Sequence, residues 1–191
     1  MKIHIGCGTN YLYEYTNADA NPQFLSSNPE AKKIIEENGT TFENYYKTDF
    51  KNRPTLVVAD VKAMVEDLPF DSESVEEVVM FHVLEHIPFY RQKAALSEIN
   101  RVLKKGGSFI VAVPNTVETA KLLINAKTQE EEDWAIRLLY GTQRNEFSHH
   151  YMGFTELSLI KTLRKAGFHR FKEEVNINFY PAIHIRCFKK E

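Results

Sequence analysis

Residues 2–8 read Lys-Ile-His-Ile-Gly-Cys-Gly, a short strand-like run that ends on two glycines separated by one residue. A chain leaving a strand through Gly6-Cys7-Gly8 must turn tightly, and such a turn lets backbone N–H groups come close to a ligand. Reading outward, Thr16–Ala20 forms a second expected strand with Asp19 at its end. Leu56–Ala59 is a third, followed by Asp60, and Val75–Phe81 a fourth, followed by His82. The last two are apolar, β-branched runs of the kind that parallel sheets bury on both faces. Between and after them the apolar period changes to that of helices: Pro29–Glu37, the amphipathic RQKAALSEINRVLKKGG ending at Gly106-Gly107, two helical stretches after Pro114, and Thr155–Ala166 closed by Gly167. Further strands are expected at Ser108–Val113, Phe168–Val175 and Ala182–Phe188, while TFENYYKTDF (41–50) fits neither period. Strands alternating with helices predict an α/β domain with a mostly parallel sheet.

The chain has 191 residues, of which 43% are hydrophobic and 26% charged, the composition of one globular domain spanning 1–191. It contains no run of eighteen apolar residues and no basic leader followed by an apolar stretch, so no membrane partner and a cytoplasmic location are expected. Two cysteines without C-x-x-C spacing, Cys7 and Cys187, are expected to be reduced thiols. A formal net charge of -2 argues against a broad nucleic-acid footprint, which needs an excess of Lys and Arg to neutralise phosphates.

In open α/β sheets, ligands bind outside the carboxyl ends of the strands. Four successive strand ends here carry a polar or glycine signal. Asp19 can accept both hydroxyls of a ribose, and Asp60 can accept from an exocyclic amine such as that of adenine. Singly these are weak signals, since an Asp after a strand is often a turn or cap residue. Their succession is what points to a nucleoside.

The arrangement resembles the class I S-adenosylmethionine-dependent methyltransferases, in their small methyltransferase-11-like form. IHIGCG corresponds to the glycine motif, Asp19 to the ribose acid, VVAD to the adenine-side acid, DLPFDSESVEEVVMFHVLEH to the fourth strand and its exit, and EINRVLKKGGSFIVAVPN to the segment beyond that exit. The resemblance implies a Rossmann-like sheet, mostly parallel with an antiparallel last strand and helices on both faces. It implies S-adenosylmethionine as cofactor, held by Gly6, Cys7, Gly8, Asp19, Asp60, Val61 and His82. The early motif and the HHYMGFT stretch also resemble, more loosely, predicted methyltransferases associated with polysaccharide genes, which implies a small-molecule or saccharide-like acceptor. Two departures stand out: Thr9–Ala18 is too short for the usual crossover helix, and only Met1 and Lys2 precede the first strand. Residues 21–55 and 115–153 are therefore expected to cover the cofactor and acceptor. Within them the loop Gly141–Gly153 presents His149 and His150, the expected acceptor-side base. Tyr140, Tyr151 and Phe154 could line an acceptor pocket or pack beneath the loop.

Other readings fit less well. A nicotinamide fingerprint requires a third glycine where Tyr11 stands. HVLEH (82–86) spells a zinc-peptidase H-x-x-E-H, but a strand-like run precedes it and Pro88 interrupts the helix, so no metal is expected. A metal-assisted methyltransferase using Glu85, His86 and His149 or His150 is the alternative, as is a non-catalytic nucleotide-binding module.

Overall fold

The computed structural model describes residues 1–45, 56–174 and 180–191. Its centre is a seven-stranded sheet. In chain order the strands are β1 (Lys2–Ile5), β2 (Thr16–Asp19), β3 (Val61–Lys62), β4 (Val75–Phe81), β5 (Leu103–Pro114), β6 (Phe168–Glu173) and β7 (Ala182–Lys189). The helices are α1 (Ala31–Asn38), α2 (Phe89–Val102), α3 (Thr116–Asn125), α4 (Gln129–Tyr140) and α5 (Glu156–Lys165). Across the sheet the order is β6-β7-β5-β4-β1-β2-β3. β1 pairs in parallel with both β2 and β4, and β4 with β5. The last strand runs antiparallel to both of its neighbours, inserted between β5 and β6. The strand order reverses between β1 and β4, which makes the carboxyl ends of those strands the topological switch point.

Strand alternation separates two layers. Ile3, Ile5, Val78, Met80, Phe109 and Val111 face one side and join Leu96 and Ile99 of α2 and Leu159 and Leu163 of α5 in the larger core. Val79, Phe81, Ile110 and Ala112 face the other side, where Leu12, Tyr15 and Tyr45 cover them. Among the described residues, the second face thus takes cover from residues 11–15 and from the 3-10 turn Phe42–Asn44 with Tyr45. Residues 9–15 contain only the two-residue strand Tyr11–Leu12, paired with Gly39–Thr40. This agrees with the short spacing between Gly8 and Asp19.

The third strand differs from expectation. Val58–Ala59 does not enter the main sheet but pairs with Phe24–Leu25, and the sheet resumes after Asp60 with Val61–Lys62 beside Ala18 and Asp19. The helix read as running to Gly106-Gly107 stops at Val102, because buried Leu103 turns onto the sheet and pairs with Val75. Of the expected cover segment 21–55, residues 46–55 lie outside the described residues, as does the end of TFENYYKTDF; Val175, expected to end the sixth strand, does too.

Candidate active site

A cleft of about 500 Å³ opens at the carboxyl ends of β1, β2 and β4. This lies within the roughly 300–1,000 Å³ usual for small-molecule sites. Gly6, Gly8 and Asp19 form one wall, and His82, Val83 and His86 another.

The glycine turn is built for close approach. Gly6 and Gly8 both adopt positive φ, at +65° and +52°. A Cβ on Gly6 would fall 2.2 Å from Val83 Cγ2, whereas one on Gly8 would meet nothing within 4 Å and would project into open space. The N–H groups of Gly6 and Cys7 donate to the Ala18 carbonyl, which locks the turn onto β2. The Cys7 side chain points away from the cleft, its thiol donating to the Val58 carbonyl, and burial pushes its pKa well above the usual thiol range. Cys7 therefore contributes backbone shape, not a reactive sulfur.

Asp19 accepts from Gly8 N at 2.9 Å through Oδ2 and from Asn21 N at 2.9 Å through Oδ1. A carboxylate has about four lone-pair sites. Two backbone bonds therefore fix its orientation and leave capacity on both oxygens for a pair of ribose hydroxyls. His82, at the exit of β4, holds φ +55°. A non-glycine residue in that region is uncommon and is retained where surrounding structure imposes it. The His82 N–H donates to the Ala112 carbonyl, and Nδ1 pairs with Glu85 Oε1 at 3.1 Å.

Asp60 is placed otherwise than expected. Tyr11 Oη donates to Asp60 Oδ1 at 2.6 Å, and Asn17 N to Oδ2 at 2.7 Å. The carboxylate is thereby turned into the framework, and neither Asp60 nor Val61 lies on the cleft wall. Ala63, Met64, Val65 and Glu66 form that wall instead. Glu66 Oε1 lies 2.7 Å from Arg91 Nε, an ion pair without hydrogen-bond alignment, and Oε2 has no hydrogen-bond partner among the described residues. The only signal for Glu66 in the sequence is its position just before the DLPF run at 67–70.

His149 and His150 are also displaced from their expected place. The loop tip Asn145–Ser148 and Tyr151 line the cleft, but neither histidine does. His150 packs edge-on against His86, with ring centroids 4.6 Å apart. Burial lowers its pKa, an effect that the nearby Glu85 charge opposes without overcoming. The imidazoles that do reach the cleft are His82 and His86. Glu85, 1% exposed, stays ionised: burial alone would raise its pKa, but the His82 hydrogen bond and the charges of His82, His86 and His150 bring it below the ordinary value. Its carbonyl accepts from the N–H groups of Tyr151 and Met152, pinning the 141–153 loop beside the cleft. Tyr140 and Phe154 lie off the cleft, Phe154 in the core.

The family profile described as Methyltransferase domain matches residues 3–111. Among solved structures, the chain is similar to a SAM-dependent methyltransferase of Thermotoga maritima, with TM-score 0.57 and 18% identity over 99% of this chain and 82% of that one. A SAM-dependent methyltransferase of Methanosarcina mazei gives 0.50 and 19%, over 99% and 92%. The 1,6-didemethyltoxoflavin-N1-methyltransferase of Burkholderia thailandensis, solved with 1,6-didemethyltoxoflavin and S-adenosylhomocysteine, gives 0.54 and 13%, over 100% and 71%. At these identities the likeness concerns the fold. No curated protein sequence matches the chain.

Proposed function

We propose that this chain, which belongs to the Methyltransferase domain family by its match over residues 3–111, methylates a small-molecule or saccharide-like acceptor in the cleft beside Asp19. It is an S-adenosylmethionine-dependent methyltransferase, and the bound cofactor supplies the activated methyl group. The observation that carries the acceptor reading is the composition of one continuous cleft. Gly6, Gly8, Asp19 and Glu66 offer it a nucleoside-binding set, and the same cleft takes in aromatic Phe147 and Tyr151 with Asn145 and Ser148. Aromatic faces with a few fixed polar groups suit a compact, hydroxyl- or amine-bearing molecule.

In this reading Gly8 leaves room for the cofactor and Asp19 holds the ribose hydroxyls. His82 walls the methyl-bearing side. Glu66 offers its unpartnered oxygen to an N–H donor, the task first given to Asp60. Methyl transfer is an in-line displacement, so most of what the protein supplies is alignment, for which roughly 7–11 kcal/mol is available in favourable cases. His82 and His86 place imidazoles on the cleft wall. We assign the protein to a reducing compartment such as the cytoplasm, a reading supported by two buried free cysteines. No helix among the described residues is long and apolar enough to cross a membrane.

The test is calorimetry with S-adenosylmethionine and S-adenosylhomocysteine, then transfer of a labelled methyl group to acceptor pools. Asp19→Ala should weaken cofactor binding by about 1.5–3 kcal/mol, the value of a hydrogen bond to a charged group. A folded wild type that binds neither compound overturns the cofactor assignment. Labelling confined to RNA or protein overturns the acceptor class.

A further inference from the structure

Beside the cleft, three side chains from two distant parts of the chain converge. One ligand-type atom each from Glu85, His86 and His150 lie within 4.8 Å of one another. His86 Nδ1 is 2.9 Å from the His149 carbonyl, and His150 Nδ1 is 3.1 Å from the Leu138 carbonyl. A carbonyl only accepts, so each ring carries a proton on Nδ1, which leaves Nε2 as the nitrogen free to ligate. Glu85 is buried, with Oε1 bonded to His82 and Oε2 without a hydrogen-bond partner among the described residues. What the three groups bring together is two imidazoles and a carboxylate. Either a proton shared with an imidazole or a metal cation would balance the buried carboxylate, and two imidazoles with one carboxylate are a metal-ligand set.

We propose that Glu85, His86 and His150 bind a divalent transition-metal ion. Two imidazoles with one carboxylate favour ions such as Zn²⁺, Co²⁺, Mn²⁺ or Fe²⁺ over Mg²⁺ and Ca²⁺, which prefer oxygen throughout. The carbonyls of His149 and Leu138 are the outer partners that hold ligating histidines in one tautomer and orientation. The backbone bonds from Tyr151 and Met152 to the Glu85 carbonyl bring the two ligand segments together without the ion. The proposal departs from the expectation of no metal and takes the alternative set of Glu85, His86 and a downstream histidine, with His150 as the third ligand. The ion would clasp residues 141–153 to the cleft wall, and three protein ligands leave coordination positions for water or an oxygen of the acceptor.

The site does not depend on the methyl-transfer reading, and its test needs no cofactor. The full chain, stripped with a chelator, is titrated with Co²⁺ while its ligand-field absorption is monitored, and with Zn²⁺ by calorimetry. One ion per chain should bind, with a rise in unfolding temperature. His150→Ala and Glu85→Gln should each weaken binding by more than the roughly 10–100-fold typical of losing an outer partner. His169→Gln, whose imidazole bonds the Phe188 carbonyl on β7, should bind as the wild type does. His86→Gln serves where Glu85→Gln does not fold, with circular dichroism as the check. No saturable Co²⁺ binding by the wild type, or equal binding by His150→Ala, overturns the site.

Discussion

At the scale of single residues, the two glycines of the first turn have different duties, and substitution separates them. Both lie in the left-handed region, which costs a side-chain-bearing residue roughly 1–2 kcal/mol. Gly6→Ala adds a collision with Val83, so it should destabilise by more than that figure in denaturant unfolding. Gly8→Ala meets no protein atom and should lose only about the conformational amount, yet Gly8 lines the cleft, so the added methyl should weaken S-adenosylhomocysteine binding out of proportion to its effect on stability. Equal losses of stability in the two variants would refute this division. Asp19 is legible in the sequence for the same local reason as the glycines. It closes a short strand, and strand ends set the direction of the side chain there. Asp60 shows the limit of that argument. Its spacing is right for a cofactor acid, but Tyr11 and Asn17 claim its carboxylate, and no feature around residue 60 announces partners so far back in the chain.

Elements connect these residues through the cover loop between α4 and α5. α4 ends at Gly141, with φ 77° and ψ 177°, a conformation essentially confined to glycine. A Cβ there would fall 2.1 Å from the Ser148 carbonyl oxygen. Gly141→Ala should therefore cost at least about 1–3 kcal/mol. It should also raise proteolytic cleavage within 141–153, because Gly141 pairs with His149 and that pairing shapes the loop tip over the cleft. Unchanged cleavage would show that the tip is held from elsewhere. The loop's far end is set by Thr155, whose hydroxyl caps α5 in a reciprocal box with Ser158. Thr155→Ala should lower stability by about 1 kcal/mol while leaving cofactor affinity unchanged, since the cap lies off the cleft wall. The two bounding glycines and the helix after them can be read from the residues alone, but not the side of the loop on which the paired histidines lie. A loop has no 2- or 3.6-residue period to fix its facing.

For the whole molecule, stability should depend on pH through histidines buried as neutral groups. His4 lies beneath the second face, bonded at Nδ1 to Asn17 and at Nε2 to Tyr45, each at 3.0 Å. Burial lowers its pKa from 6.5 to about 4, partly offset by the Asn17 hydrogen bond. Burial, together with the charge of His82, lowers that of His184 to about 4. Below pH 6.5 the unfolded chain takes up protons that the folded protein refuses. The contribution is therefore complete above 6.5 and is lost as pH falls from 6.5 towards 4. For His4 alone the loss is on the order of 3 kcal/mol. Urea unfolding at pH 7 and pH 5 should show the decline, and His4→Gln should reduce its slope; an unaltered slope would mean that His4 is not held neutral. The sequence by itself determined the alternation of strands and helices, the glycine turn and the acid at the end of the second strand, because each is written in local backbone preference and side-chain period. Only the tertiary structure decided that β7 inserts between β5 and β6, that Glu66 and Arg91 line the cleft while Tyr11 and Asn17 hold Asp60, and that Glu85, His86 and His150 meet. Those outcomes depend on contacts between residues far apart in the chain, where neighbours within reach, and not spacing, set the direction of a side chain.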